Sequence, residues 1–403
     1  MMTTTYMDNN ATTRVDPRAV AAMLPYFSAF YGNPSSMHSF GGDVGKRIDD
    51  ARTAVQRLLG AEHDTEIIFT SCGTESDSTA LLSALAAYPE RREIITSVVE
   101  HPAILTLCEH LEKHEGYRVH YIPVDKQGRL SLEAYANALS DRVAIASIMY
   151  ANNETGTIFP VEELARMAKE KGILFHTDAV QAVGKIPLNM QESAIDMLSL
   201  SGHKLHAPKG IGALYVRRGT RFRSFLRGGH QERGRRAGTE NTTGIIGLGM
   251  AAELAQEHMV FESTAVRRLR DRLEAGILKQ VSFAFANGDM ENRLPNTSSI
   301  SFEYIEGEAI LLLLSRVGIA ASSGSACTSG SLEPSHVLRA MDIPYTAAHG
   351  TIRFSLSRET TEAEVDWVIA QTPPIIDQLR RLSPYWGVNG PVNAANAFAP
   401  VYA

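Results

Sequence analysis

The sequence is poor in cysteine, with three in 403 residues: Cys72, Cys108 and Cys327. So small and odd a number argues against a disulfide framework. It leaves at least one free thiol and fits a reducing, cytoplasmic setting. Long apolar runs are lacking too. The longest, Ala309–Leu314, falls far short of the ~20 residues that cross a bilayer, so no membrane partner is expected. The opening MMTTTYMDNNATTRVD has neither the basic nor the apolar region of a signal peptide. Positive charge is in deficit, the formal net charge being -6, which argues against a general nucleic-acid binder. There is no internal repeat, no low-complexity block before the C-terminal stretch and no GxxxxGK[ST] phosphate loop.

What is present is ordinary globular material, 44% hydrophobic and 21% charged. The length suits roughly two or three domains and can bury a core without metal or disulfide. Short apolar runs at Glu66–Ser71, Glu93–Val98, Val119–Val124, Val143–Met149, Ile173–Phe175 and Met197–Leu200 read as buried strands. Between them lie amphipathic helices, one with Val44, Ile48, Ala51, Val55 and Leu58 on one face. Another spans Val161–Lys171, with Glu162 placed to pair with Arg166 and Gly172 placed to end it. This alternation implies an α/β fold with parallel strands covered by helices. From about Val266 the pattern changes to a long helix through Val281, a strand at Ser299–Phe302, a helix near Glu308–Ser315 and a Gly/Ser-rich segment, Ser322–Ser331. The expected division is a large α/β domain, 15–262, and a smaller α+β domain formed by 1–14 and 263–403. The tail Pro384–Ala403, rich in Gly, Pro, Asn and Ala, reads as an extended arm.

Five places carry chemistry. Lys204 follows the apolar strand MLSL in SGHKLHAPKG. A lone lysine is ordinarily a solvated charge. One past the carboxyl end of a parallel strand stands where α/β proteins bind ligands, and its amine can form a Schiff base with an aldehyde cofactor. Ser201 and His203 beside it suit a phosphate. FHTDAVQ ends another strand in Asp178. A buried aspartate needs a partner, and a protonated pyridine nitrogen would serve and make the ring an electron sink. The alternative is a helix cap. Gln181, three residues on, is placed to bond the ring's phenolic oxygen. In FTSCGTES a strand runs through Gly73 and Thr74 into a helix, whose N-terminal N–H groups can cradle a phosphate. His101 in VVEHPA can stack on the ring and move protons, although a lone histidine is more often structural. Cys327, flanked by Gly, Ser and Thr in SSGSACTSGS, reads as an exposed nucleophile whose reactivity depends on thiolate formation. Cys108 reads as a helix-packing residue and Cys72 as a small turn residue. The arginines of Arg217–Arg236 lack the interleaved aromatics of a nucleic-acid surface. His203 and His206 lack the further ligands a metal needs, so no resident metal is expected.

Taken together, CGTES, EHPA, ANNETGT, HTDAVQ, SGHKLHAPKG, RRAGTEN and SSGSACTS resemble the cysteine desulfurases, fold-type I pyridoxal-phosphate (PLP-dependent) transferases. The match extends from YMDNNATT to RFSLSRETT and beyond, and the tail SPYWGVNGPV resembles the nitrogen-fixation branch. The resemblance implies a mainly parallel sheet in the large domain and pyridoxal 5'-phosphate bound through Lys204. It places Asp178 at the pyridine nitrogen, Gln181 with Asn153 at the phenolic oxygen, His101 on the ring, and Gly73, Thr74, Ser201 and His203 at the phosphate. Thr239 would reach the phosphate in the other subunit of a homodimer. Arg353, helped by Asn153, would hold the carboxylate of L-cysteine. Cys327 would take the sulfur as a persulfide, with transient iron–sulfur ligation conceivable there, and pass it to an iron–sulfur scaffold protein for nitrogenase maturation. Rivals are an aminotransferase or selenocysteine lyase on the same fold, and a non-catalytic module using the arginine segment.

Overall fold

The computed structural model describes residues 4–323, 334–388 and 390–392. The chain opens with β1 (Thr5–Tyr6), α1 (Pro17–Met23), α2 (Pro25–Ser28) and α3 (Ser39–Leu59). Strands and helices then alternate through β2 (Ile67–Thr70), α4 (Gly73–Ala87), β3 (Glu93–Ser97), α5 (Pro102–Glu115), β4 (Arg118–Ile122), α6 (Leu132–Ala138), β5 (Val143–Ser147), α7 (Val161–Glu170), β6 (Leu174–Asp178), β7 (Met197–Ser201) and β8 (Gly212–Val216). After α8 (Thr242–Phe261) and α9 (Arg267–Leu278) come β9 (Ala284–Asn287), β10 (Thr297–Phe302), α10 (Gly307–Arg316), β11 (Ile319–Ala320), α11 (His336–Ala340), α12 (Tyr345–Ala348), β12 (Thr351–Ser355) and α13 (Glu362–Leu382).

β2 to β8 form one seven-stranded sheet in the order β2-β8-β7-β6-β5-β3-β4. Strands β3, β5, β6 and β7 are buried at every residue, which is why they read as continuous apolar runs rather than alternating ones. The sheet is mainly parallel, as expected, and gains one further strand not read from the sequence. β8 runs antiparallel to both β2 and β7. No helix separates β7 from β8, only a short turn at Gly202–Lys204 and the following loop, so the strand returns beside its predecessor in the opposite sense. α7 ends before Gly172, whose φ of 64° is the left-handed conformation a helix stop requires. Glu162, expected to pair with Arg166, instead accepts the Ser193 hydroxyl at 2.7 Å.

Each face of the sheet buries a core. One gathers α3, α7 and α8, with Val55, Leu59, Phe175 and Leu248. The other packs α4 and α5, with Leu81, Ile104, Cys108 and Leu111. A third core lies around the antiparallel sheet β12-β10-β9 and includes Met7, Leu273, Ile300, Phe354 and Ile376. Val337 and Met341 belong to the first core although they lie late in the chain. The N-terminal segment reaches across: β1 pairs in parallel with β11, and Asp8 bridges to Ser355. No helix among the described residues is long and apolar enough to cross a membrane.

Candidate active site

The site is assembled where β2, β3, β5, β6 and β7 end. Lys204 closes the turn after β7, and its Nζ donates to the Asn10 carbonyl and, at 2.7 Å, to the Ala11 carbonyl. The amine is therefore oriented by backbone of the N-terminal segment. Asp178, the last residue of β6, is buried, and its Oδ1 accepts the Val180 N–H at 2.9 Å. Burial raises its pKa, while the Val180 N–H and the charges of His101 and Lys204 partly offset that. It thus does part of what the alternative reading expected, capping a local turn, while its carboxyl stays buried beside the charges of His101 and Lys204.

His101 is the N-cap of α5, where its Nδ1 accepts the Ala103 N–H at 3.1 Å. That bond leaves a neutral ring its proton on Nε2. Burial pushes its pKa down, Asp178 pushes it up and Lys204 again down. Gln181 donates from Nε2 to the Asn10 carbonyl at 3.0 Å. The Asn153 carbonyl accepts from Asn10 Nδ2 at 3.1 Å and from Arg353 at 2.9 Å. Arg353, buried on β12, also donates to Asp8 Oδ1 at 2.9 Å, and its Nε has no partner among the described residues. Arg353 and Asn153 are brought together, with Asp8 also holding the guanidinium.

Gly73 begins α4. A Cβ there would lie 2.9 Å from Val180 Cγ2 and 3.5 Å from Ser201 Cβ, so backbone comes close to what fills this corner. Ser201 Oγ is buried and has no hydrogen-bond partner among the described residues, while Thr74 is exposed. His203 Nδ1 meets the Thr12 hydroxyl at 3.2 Å, and burial followed by the charges of Lys204, Lys209 and Lys185 lowers its pKa to about 4. His206 Nδ1 is engaged by the Arg14 carbonyl at 3.0 Å. Among the described residues no cluster of three metal-ligating side chains occurs.

A helix N-terminus, an unsatisfied buried hydroxyl, a strand-end lysine and a buried aspartate converge here. This donor set fits a phosphorylated pyridine aldehyde. The matching family model is aminotransferase class V, over residues 5–368. The chain belongs to the class-V aminotransferase family. Within the family it is 69% identical to cysteine desulfurase NifS of Azotobacter vinelandii and 67% identical to a cysteine desulfurase of Gluconacetobacter diazotrophicus, each over all of both chains. Among solved structures, a NifS-like protein superposes with a TM-score of 0.87 at 39% identity, covering 93% of this chain and 100% of that one. SspA in complex with cysteine gives 0.78 at 34% identity, covering 88% and 99%.

Not every family position expected from sequence joins the group. Thr239 is exposed on the segment before α8, outside the network of contacts just described. Cys327 and most of its Gly/Ser-rich segment lie outside the described residues, as does the tail from residue 393. Cys108 is buried in α5 as expected, with its thiol pushed up to about 12 by burial and then by Glu100, Glu112 and Glu109. Cys72 is the partly exposed N-cap of α4.

Sequence reasoning missed several participants. Asn10 serves Lys204 and Gln181 through its carbonyl and Asn153, Thr297 and Lys185 through its side chain. Its signal is the polar run NNATT after β1, whose residue types alone point to no role. Asp77 and Glu100 are two further buried carboxyls. Asp77 is raised well above the usual range by burial first, then by Asp178. Glu100 is raised to about 8 by burial, although it accepts the Ser97 hydroxyl at 2.6 Å and the Met149 N–H at 2.9 and 3.0 Å. The spacing of Lys185 four residues beyond Gln181 was available but marks nothing without knowledge of burial.

Proposed function

We propose that the protein is a PLP-dependent cysteine desulfurase, a sulfurtransferase that converts L-cysteine to L-alanine and moves the sulfur onto Cys327. The observation that carries the reading is the convergence of Lys204, Asp178, His101 and Arg353 in one site of a chain whose full-length relatives are named cysteine desulfurase. Cysteine bound to the similar SspA supports the substrate.

Pyridoxal 5'-phosphate, when bound through Lys204, would supply an electron sink for the carbanion formed at the substrate α-carbon. Gly73, Thr74, Ser201 and His203 would hold its phosphate, Asp178 the proton on the ring nitrogen, His101 the ring face, and Gln181 with Asn153 the phenolic side. Arg353 binds the substrate carboxylate. The Lys204 amine takes the α-proton and returns it, and its place beside the Asn10 and Ala11 carbonyls keeps it near that position. The Cys327 thiolate attacks the substrate sulfur. The carbon–sulfur bond breaks, a sulfur–sulfur bond forms, and the carbon left behind takes a proton to become alanine. The persulfide then passes its outer sulfur to an acceptor, for which we propose an iron–sulfur scaffold protein serving nitrogenase maturation. We read the enzyme as a cytoplasmic homodimer in which Thr239 reaches the partner's phosphate site. The chain divides into domains 15–262 and 1–14 with 263–403, and the separate core around β9, β10 and β12 supports this.

The test measures alanine and sulfide from L-cysteine with a reducing thiol. Wild type is expected to give equal amounts of both products, and Cys327→Ala neither, while the variant keeps its bound cofactor. Lys204→Ala should lose the borohydride-reducible bond. Equal turnover by wild type and Cys327→Ala would leave a lyase or transferase and refute the persulfide route.

A further inference from the structure

Lys185 is an ionisable side chain that the proposed reaction does not use, and it is buried within two hydrogen bonds of Lys204. It is 6% exposed. Its Nζ donates to Gln181 Oε1 at 2.8 Å and to Asn10 Oδ1 at 3.5 Å. Gln181 Nε2 then donates to the Asn10 carbonyl, the same oxygen that receives Lys204 Nζ. The groups whose charges act on Lys185 are Lys204, Glu262 and Arg353.

This arrangement decides which way the Gln181 amide points. A carboxamide can rotate by half a turn with almost no change of shape, so its neighbours choose its orientation. On one side of Gln181 stands an amine that donates, on the other a carbonyl that only accepts. The reversed amide would set its oxygen against the Asn10 carbonyl and, while Lys185 is protonated, its NH2 against an ammonium that cannot accept, losing two buried hydrogen bonds. Either protonation state of Lys185 has an N–H to give to Oε1, but only the ammonium lacks a lone pair with which to accept from a reversed amide, so the protonated form holds the orientation more strongly. With Oε1 turned to Lys185, Nε2 keeps a second hydrogen beyond the one given to Asn10.

We propose that Lys185 is a positioning residue. It locks Gln181 with its N–H edge toward the cofactor's phenolic oxygen, so that this oxygen meets a donor rather than a carbonyl. The inference rests on the role given to Gln181 under the proposed function. A donor at the phenolic oxygen stabilises its anionic form and so makes the neighbouring imine nitrogen at Lys204 lose its proton more readily. Without Lys185 only the Asn10 carbonyl holds the amide, the reversed orientation gains population, and that proton should be held to higher pH.

The experiment is a double-mutant cycle read by pH titration of the bound cofactor's visible absorbance in the holoenzyme, with no substrate. Lys185→Met has similar length and removes a buried amine, and far-UV circular dichroism checks its fold. Lys185→Gln takes its place should Lys185→Met not fold. Lys185→Met and Gln181→Leu are each expected to raise the apparent pKa by about one pH unit. The double variant is expected to match Gln181→Leu alone, because Lys185 acts through Gln181. A further rise in the double variant would show that Lys185 acts by its own charge or by general packing, and would overturn the inference. So would an unshifted titration in Lys185→Met. Absence of a cofactor absorbance in wild type would instead sink the proposed function, so the two failures are distinguishable.

Discussion

At the residue scale, the sheet beneath the site is polar where its strands meet. His176 is fully buried between two hydroxyls: its Nδ1 meets Ser147 and its Nε2 meets Ser199, each at 2.9 Å. Burial lowers its pKa from 6.5 to about 3, so it is neutral in the fold. The unfolded chain takes up that proton as pH falls through its ordinary value, while the folded chain does not until far lower. The contribution of His176 is therefore intact above about pH 6.5 and is lost on acidification at ~1.4 kcal/mol per unit. His176→Gln does not titrate. Its destabilisation relative to wild type should shrink by about 2–3 kcal/mol between about pH 7.5 and 4.5, measured by urea unfolding at matched protein concentration. An unchanged gap would mean that His176 accepts a proton in the folded state. Lys204, Asp178 and His101 were legible because each follows an apolar run that reads as a strand. His176 was not, because a histidine inside such a run declares nothing about the serines opposite it.

At the element scale, the start of α4 is shaped by what cannot be placed there. Gly73 has an ordinary backbone, and its constraint is the 2.9 Å approach a Cβ would make to Val180. Gly73→Ala should push the β6 turn or the helix terminus outward. An overpacking cost of ~1–3 kcal/mol, if it falls on the bound state, corresponds to a fall in cofactor affinity of roughly five- to hundredfold, with the fold retained. Reconstitution of apoenzyme followed by absorbance checks this, and unaltered affinity would show that the corner relaxes freely. The arginine segment is explained by the same kind of packing. Glu232 is held at φ 47° because its carboxylate is buried against Arg52 at 2.7 and 2.8 Å and also accepts the Phe69 N–H at 3.0 Å. Nearby, Arg236 meets Glu75 of α4 at 2.8 Å. This part of the arginine segment is a strut fastened to the edge strand β2. A buried pair cannot be inferred from a charge run, since its partner lies 180 residues away.

At the scale of the whole molecule, large apolar side chains are exposed over a short stretch near the N-terminus: Phe27 at 64%, Phe30 at 50%, Tyr31 at 73% and Met37 at 105%. A cluster of this kind is costly to leave in water, and the proposed homodimer would cover it. Phe27→Glu combined with Tyr31→Glu should convert a dimer into a monomer in analytical ultracentrifugation. If Thr239 completes the partner's phosphate site, the same variant should retain less cofactor. A variant that stays dimeric would place the interface elsewhere.

The sequence by itself determined six strands of the large sheet and the helices with a clear apolar face, since apolar periodicity is a local property. It also determined the motif residues at the strand ends, because strand, turn and functional side chain are neighbours in the chain. Only the tertiary structure decided which way β8 runs and which charged groups are buried. It alone decided that Asn10 meets Lys204 across 194 positions and that Arg353 meets Asp8 across 345. The reason is physical: such contacts are selected by the desolvation of whole surfaces against one another, and no local pattern of residue types records which distant partner a buried polar group will find.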